Sequence, residues 1–74
     1  MMEQEIRIHT ETIRLDALMK LAGLADTGGS AKLLIQAGKV QVNDEFCIQR
    51  GRKLRPGDRV KRTDGGGIAV VTAE

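Results

Sequence analysis

The sequence has very few aromatic, cysteine or histidine residues. Among its 74 residues are one Phe (Phe46), one Cys (Cys47) and one His (His9), with no Trp or Tyr. A single cysteine excludes a disulfide within the chain and is typical of a reducing compartment. Zinc sites need three or four ligands, so a lone His9 is expected to be a surface residue and no metal is predicted. With one aromatic side chain, stacking platforms for unpaired bases are expected to be essentially unavailable.

Long apolar runs are also missing from the sequence. No stretch of about 18 apolar residues occurs, and the beginning, MMEQEIRIHT, lacks the basic start and apolar segment of a signal peptide. We therefore expect a soluble cytoplasmic protein with no membrane partner. Because 74 residues with 41% hydrophobic content can build one modest core, we expect a single domain over residues 1–74.

The residue types of a catalytic site are not grouped in this sequence. Acid–base and nucleophilic catalysis need a titratable group beside a second group that activates or orients it, and no such set stands out. The run GGSAK at 28–32 lacks the spacing of a phosphate loop. The glycines at 65–67 precede a strand pattern, unlike the C-terminal glycines of ubiquitin-like carriers. We predict no enzymatic activity and no cofactor.

Charge is distributed unevenly along the chain. Residues 27–62 contain nine basic and three acidic residues, whereas the rest of the chain contains three basic and seven acidic ones. The overall charge of +2 therefore hides a basic segment beside an acidic remainder. Such segregation favours a polyanionic partner over an evenly charged solvent shell, although solvated surface charge is the alternative.

Two helices are predicted from apolar spacing. The first runs from about Ile13 to Ala22, with Thr12 as its N-cap and Gly23 in the left-handed position after its end; its inner residues recur at i, i+3, i+4 and i+7, namely Leu15, Leu18, Met19 and Ala22. The second follows Asp26–Gly29 and runs to about Ala37, ended by Gly38. Its predicted inner residues are Ala31, Leu34 and Ile35.

Strands are predicted where polar and apolar residues alternate. The expected strands are residues 5–10, with Ile6 and Ile8 inward, then 39–42, 46–48, 59–63 and 68–72. Turns are expected at Asn43–Glu45, at Pro56–Gly57 and across 64–67. One core should join the helices to the sheet through Leu15, Leu18, Met19, Leu34, Ile35, Val40, Val42 and Val60. The predicted fold class is α+β, with two helices packed on a small antiparallel sheet.

The stretch AKLLIQAGKVQVND, residues 31–44, changes from helical to strand spacing within fourteen residues. If its apolar residues are buried, Lys32 lies near the start of the second helix, while Lys39 and Gln41 project from the outer side of the following strand. Backbone N–H groups of Gly28, Gly29 and Ser30 could add an anion site at the helix start. The joint thus favours binding of a phosphate backbone.

An ordered series of residues over Ile13–Lys61 resembles one known family. It comprises Arg14-Leu15-Asp16 with Leu18, Ala31-Lys32 with Leu34-Ile35, Gly38, Val40, Val42-Asn43, and Leu54 with Pro56-Gly57-Asp58 and Val60. The series is similar to the RNA-binding domain named after small-subunit ribosomal protein four, here called the S-four domain and also known as the αL motif. The size and the IRLD and GRKLRPGD runs most resemble small stand-alone bacterial members of the YbcJ type.

This resemblance implies RNA held by basic and polar side chains around the two helices and the following strand and loop. By position it points to Arg14, Lys32, Lys39, Gln41, Asn43, Arg52 and Lys53, and the basic loop that contains the last two adds Arg50 and Arg55. The chain departs from the family pattern in having Thr27-Gly28 where many members have Ser or Thr followed by Arg, and Asn43-Asp44 where Asn-Gly is usual.

The expected function is non-catalytic binding of structured RNA, either rRNA or tRNA, with ribosome assembly or translation as the expected setting. Recognition should rest on phosphates, 2′-hydroxyls and helix shape. The alternative is an interaction module that docks an acidic ribosome-associated protein. Ribosomal proteins are therefore possible partners, and a monomer is expected.

Overall fold

A computed structural model of the chain describes residues 3–74. In chain order the elements are β1 (Glu3–Ile8), β2 (Ile13–Arg14), α1 (Leu15–Leu21), α2 (Gly28–Gln36), β3 (Val40–Val42), β4 (Glu45–Phe46), β5 (Lys53–Leu54), β6 (Arg59–Arg62) and β7 (Gly67–Ala73). Two helices and a mostly antiparallel sheet confirm the predicted α+β class. In this range, neither helix has the length and hydrophobicity needed to cross a bilayer.

Five strands form the main sheet, in the order β1-β7-β6-β3-β4, while β2 and β5 form a separate two-stranded sheet. All neighbours in the main sheet are antiparallel except β1 and β7, which are parallel. The predicted sheet was antiparallel throughout, and β1 is the exception. Alternation of polar and apolar residues shows which face of a strand is buried, but it is the same for both strand directions.

Both helices pack on one face of the main sheet and enclose the core. The core joins Leu15, Leu18 and Met19 of α1 and Ala31 and Ile35 of α2 to inward residues of the strands, including Ile8, Val40, Val42, Val60, Ala69 and Val71. Seven of the eight predicted core residues are fully buried. The eighth, Leu34, is only half-buried and packs against the edge of the core. The face of α2 that is buried is therefore narrower than its apolar residues suggested.

Helix α1 begins two residues later than predicted. Its N-cap is Arg14, with extended backbone (φ −71°, ψ 148°), in place of the predicted Thr12. The reason is that Ile13 and Arg14 pair with Leu54 and Lys53 as β2 and β5, an interaction between residues distant in sequence. The end of α1 is as predicted, with Gly23 in the left-handed region at φ 72°.

Helix α2 has a side-chain cap at its start. Thr27 is the N-cap, and its Oγ1 accepts a hydrogen bond from the Ser30 amide at 3.0 Å. At the other end Ala37 is the C-cap and Gly38 has φ 75°, as predicted for a helix that turns directly into a strand. Only three residues separate Gln36 from the start of β3.

The turn between β3 and β4 contains two residues, not the predicted three. Asn43 (φ 52°) and Asp44 (φ 69°) both take left-handed backbone, and Glu45 already belongs to β4. Two such residues in succession make the tight hairpin turn whose twist matches the flanking strands. Cys47, just beyond β4, is a buried free thiol, and its amide donates to the Val40 carbonyl at 3.1 Å.

Candidate nucleic-acid interface

The two-stranded sheet joins the two sequence runs that carry the family resemblance. Ile13 pairs with Leu54 and Arg14 pairs with Lys53. Leu54 is fully buried and Ile13 packs against the core, so their side chains anchor the small sheet. Arg14 and Lys53 are exposed. Because side chains alternate in direction along a strand, Ile13 and Leu54 pack against the core, while Arg14 and Lys53 project into solvent from adjacent strands.

Backbone hydrogen bonds fix the basic loop to the start of α1. The Leu15 amide donates to the Arg52 carbonyl at 2.8 Å, and the Asp16 amide donates to the Arg50 carbonyl at 3.1 Å. The first amides of a helix have no partner within the helix, and here the loop supplies acceptors. The main chain at 50 and 52 is therefore held in place although the side chains are exposed.

Cations surround a shallow depression between the two helix starts. The depression has a volume of about 350 Å³ and is lined by Arg14, Asp16, Ala17, Lys20, Gly28 and Arg50. Three of these residues are cationic and one is acidic. The carboxylate of Asp16 contacts the Arg14 guanidinium at 3.2 Å and also accepts from the Ala17 amide at 2.8 Å. Asp16 therefore orients Arg14 at the rim while the lining remains net positive.

The start of α2 contributes backbone to this depression. Gly28, its first residue, lines the depression, and the positive end of the helix dipole lies there. Of the three amides proposed as anion donors, that of Ser30 is already bonded to Thr27. Lys32, half-buried, follows Gly28 by one turn on the same side of the helix. We call Arg14, Lys20, Gly28, Lys32, Arg50, Arg52 and Lys53 together the helix-start surface.

Lys39 and Gln41 belong to a different surface. Gln41 lies opposite Lys61 on one side and Phe46 on the other, on the face of the main sheet that the helices do not cover. Lys39 is exposed immediately before β3, and its carbonyl accepts from the Thr63 amide at 2.9 Å. We call this surface, formed by Lys39, Gln41, Phe46, Arg59, Lys61 and Ile68, the outer sheet face. The predicted site residues other than Asn43 and Arg55 are thus divided between two surfaces.

Asn43 uses its side chain to hold two turns together. Its Nδ2 donates to Asp58 Oδ1 at 2.9 Å, and its Oδ1 accepts from the Arg59 amide at 3.0 Å. Asp58 Oδ2 in turn accepts from the Arg55 amide at 2.8 Å. The β3–β4 turn is thereby joined to the Arg55–Asp58 turn, and the side-chain amide of Asn43 is engaged in hydrogen bonds within the chain although the residue is exposed.

The environment of Asp58 favours its charged form. Partial burial is the largest single influence and would raise the pKa of Asp58, but hydrogen bonds from Arg55 and Asn43 and the charges of Arg52 and Arg55 together lower that pKa below its ordinary value. The carboxylate therefore stays ionised next to the basic loop. Its role in the turn depends on that charge, since both bonds are donated to its oxygens.

Two arginines of β6 are occupied by carboxylates. Arg59 contacts Glu3 of β1 at 2.9 Å. Arg62 contacts both oxygens of Asp64 and donates to the Leu24 carbonyl at 2.7 Å. The hydrogen bond from Arg62, aided by the charges of Arg62 and Lys39, lowers the pKa of Asp64 in spite of partial desolvation. Within residues 3–74, by contrast, the predicted cations Lys32, Lys39, Arg50, Arg52, Lys53 and Arg55 make no ion pair.

Sequence reasoning missed two residues of these surfaces. Lys20 lies outside the basic segment, yet it lines the depression because it follows Asp16 by one helical turn. That i, i+4 spacing could have identified it. Phe46 was expected to offer no stacking surface, but its side chain is 62% exposed. Its direct pairing with Gln41 depends on the register between β3 and β4, which is set by the length of the turn that joins them.

Metal ligands are not grouped in the part of the chain that is described. In residues 3–74 no three His, Cys, Asp or Glu side chains lie close enough to hold an ion.

Comparison with known proteins identifies a family and a close relative. The family profile described as the S4 domain, the S-four domain named above, matches residues 6–71. The chain is 43% identical over 70 residues to a protein of Bacillus subtilis (strain 168) named as the probable ribosome maturation protein RlbA. That alignment covers 95% of this chain and 99% of the relative, so the two proteins are similar over nearly their whole lengths.

Proposed function

The chain belongs to the S4-domain family, and from this premise we propose that it is a non-catalytic protein that binds structured RNA, either rRNA or tRNA. The helix-start surface is the main contact. One observation carries the proposal: Arg14, Lys20 and Arg50 surround one depression at the start of α2. Arg14 and Lys20 lie at the two ends of α1, whereas Arg50 comes from the distant basic loop, and only the fold makes it their neighbour.

The arrangement suits contacts to phosphate more than to bases. Guanidinium and ammonium groups bind phosphate oxygens from a range of directions, and the start of α2 adds a positive dipole. The depression is shallow and open, so it accommodates the outside of a folded RNA. The shape of an A-form helix, with its phosphates and 2′-hydroxyls, is how double-stranded RNA is commonly recognised. Phosphate contacts fix position and orientation without reading sequence.

The biological setting that fits best is ribosome assembly in the cytoplasm. The relative is named as a probable ribosome maturation protein, and its match covers 95% of this chain. A protein of that role is expected to contact folded rRNA, and the basic depression is suited to such a contact. On this proposal the chain acts as one RNA-binding domain and as a monomer.

A salt titration of RNA affinity tests this function. Wild-type protein is titrated with one folded rRNA fragment at several salt concentrations, beside Arg50→Gln and the control Arg7→Gln. If four or five cations contact phosphate, the logarithm of affinity falls with the logarithm of salt at a slope of about −3. Arg50→Gln should weaken binding and make that slope shallower by less than one unit. Arg7→Gln, which removes an exposed arginine of β1 outside the basic segment, should change both much less.

Two results would contradict the proposal. One is an equal effect of the two variants, because the contact would then not lie at the depression. The other is the absence of RNA binding combined with salt-sensitive binding to acidic ribosome-associated proteins, which would support the interaction module instead. Crosslinking in cells followed by sequencing of the bound RNA would then identify the target.

A further inference from the structure

The chain's one aromatic side chain lies outside the core. Phe46 is 62% exposed, and the core is accordingly made of aliphatic side chains, Met and Cys. Fully burying a phenylalanine would favour folding, so its position on the surface forgoes that gain. An exposed aromatic ring on a sheet is well suited to stack against the flat face of a base.

A row of side chains crosses the outer sheet face at Phe46. Phe46 pairs with Gln41, Gln41 with Lys61, and Lys61 with Ile68, so the four residues lie side by side on four adjacent strands. Strands are about 4.8 Å apart, which places the backbone of Lys61 roughly 10 Å from that of Phe46. The amide of Gln41 lies between the ring and the ammonium group. Across neighbouring strands the surface therefore offers a stacking face, then a hydrogen-bonding group, then a cation.

The charges beside this row are also ordered. Lys39 and Lys61 lie diagonally across two neighbouring strands, about 7–8 Å apart at the backbone, and flank Gln41. Neither lysine makes an ion pair among residues 3–74, since the neighbouring Asp64 is held by Arg62. Asp44 lines a depression of about 250 Å³ with Gln41 and Lys61. Because Asp44 lies in the turn at the other end of β3, phosphate is favoured at the Lys39 end.

We propose that this face is a second RNA site that takes one unpaired nucleotide, with its base stacked on Phe46 and its phosphate between Lys39 and Lys61. The inference rests on the proposed function, because it assigns part of the bound RNA. The Gln41 amide contacts the edge of the base. The helix-start surface holds the folded part of the RNA, and the outer sheet face holds a single-stranded residue that leaves it.

The charges favour RNA over a protein as the occupant of this face. An apolar protein contact would require a larger continuous apolar area, whereas the polar Gln41 lies beside Phe46 and Lys61 follows on the next strand. Ile68, in the same row, is only 8% exposed and therefore adds little apolar surface area for a protein contact. A polyanion neutralises the charge of both lysines, and a base stacks on the Phe46 ring.

The test is an NMR titration of isotope-labelled full-length protein with the single-stranded hexanucleotide U6. U6 has no stable folded form, so it probes the second site without occupying the first as a duplex would. The signals to follow are the Phe46 ring and the side-chain amide of Gln41. The variants are Phe46→Ala, Phe46→Leu and Phe46→Tyr, with Leu33→Ala as the matched control because Leu33 is 70% exposed on α2.

On the proposal, U6 shifts the Phe46 and Gln41 signals in the wild type. Phe46→Ala lowers the affinity for U6 by about 5- to 150-fold, the range for loss of one stacked base. Phe46→Leu loses nearly as much, since it keeps apolar bulk without a ring, whereas Phe46→Tyr and Leu33→Ala stay close to wild type. Wild-type affinity of Phe46→Leu for U6 would overturn the proposal. So would Phe46 ring signals that shift with protein concentration in the absence of RNA, because these would indicate that a second copy of the chain binds this face.

A parallel titration with a folded rRNA fragment separates this inference from the proposed function. Binding of the folded fragment with no U6-induced shift at Phe46 or Gln41 overturns the second site and leaves the proposed function intact. Failure of the protein to bind either RNA overturns both.

Discussion

The two sheets of this protein are built for different tasks. The five-stranded sheet carries most of the buried strand residues, and its arginines Arg59 and Arg62 are paired with Glu3 and Asp64. The two-stranded sheet buries Leu54 and part of Ile13, and the cations that it and its loop present make no ion pair in residues 3–74 apart from Arg14 with Asp16. The arginines of the large sheet are thus paired within the protein, whereas most of the cations at the small sheet stay available for a partner.

The difference shows how a small domain can separate stability from binding. The small sheet adds little to the core, but its backbone is fixed because the loop carbonyls of Arg50 and Arg52 accept from the first amides of α1. The side chains of that loop can therefore change without loss of apolar contacts. Substitutions in the two regions should separate the free energy of unfolding from the affinity for RNA.

The largest effect is expected from Leu15→Ala, which removes a fully buried side chain at the start of α1. Such a change typically lowers the free energy of unfolding by about 2–5 kcal/mol, a large part of the roughly 5–15 kcal/mol available to a domain. Urea denaturation measures the loss. Leu34→Ala should cost clearly less, because Leu34 is only half-buried. Equal losses would mean that α2 is rotated relative to the structure described here.

Asp58→Ala is expected to have the next largest effect, because Asp58 links the turn before β6 to Asn43. The change removes two hydrogen bonds, from the Asn43 side chain and the Arg55 amide, and should lower the free energy of unfolding by about 1–2 kcal/mol. Thermal denaturation at neutral pH measures it. Asn43→Ala serves as the comparison, and a variant of either residue with wild-type stability would show that the turns are held independently.

The same carboxylate predicts a dependence on pH. The pKa of Asp58 is lower in the folded state, so the unfolded state binds more protons below about pH 4. The stabilisation from Asp58 is therefore complete above that pH and is lost as the pH falls through the folded-state pKa. Asp58→Asn should flatten the acid limb of a plot of stability against pH, though only in part, because the pKa of Asp64 is lowered too. An unchanged acid limb would exclude this contribution.

Arg52→Ala and Lys39→Ala compare the two surfaces directly, with smaller effects. Arg52 belongs to the loop at the small sheet and Lys39 to the outer sheet face. If a bound RNA touches both, each change should weaken binding several-fold and make the salt slope shallower by less than one unit. Salt titrations on one structured RNA measure this. A loss for only one variant would confine the RNA to that surface.

The smallest effect is expected from Arg7→Ala. Arg7 is exposed on β1, the edge strand at the far side of the main sheet from β4, and lies outside the basic segment. The equilibrium constant of unfolding and the affinity for structured RNA should each change by no more than about twofold, as for most surface substitutions. If Arg7→Ala weakened RNA binding more than Arg52→Ala did, the RNA would have to lie across β1.

Much of the local structure followed from the sequence because each element carries its own signal. The spacing of Leu15, Leu18 and Met19 predicted α1, and Gly23 and Gly38 predicted where the helices end. The alternation of Val40 and Val42 around Gln41 predicted which side of β3 is buried. These signals depend on contacts within a few residues, so the folded chain is not needed to recognise them.

The pairings between distant segments were decided only by the tertiary structure. No local pattern marks Ile13 and Arg14 as a strand, since their partners Leu54 and Lys53 lie about forty residues away. Three other features depend likewise on distant partners: the parallel direction of β1 beside β7, the place of Lys20 at the depression, and the hydrogen bonds of the Asn43 side chain with Asp58 and Arg59. The sequence alone determined the fold class, the core-forming helices and a basic segment suited to RNA. Which cations become neighbours was decided by the fold, because burial of Leu54 against the core brings the basic loop to the start of α1.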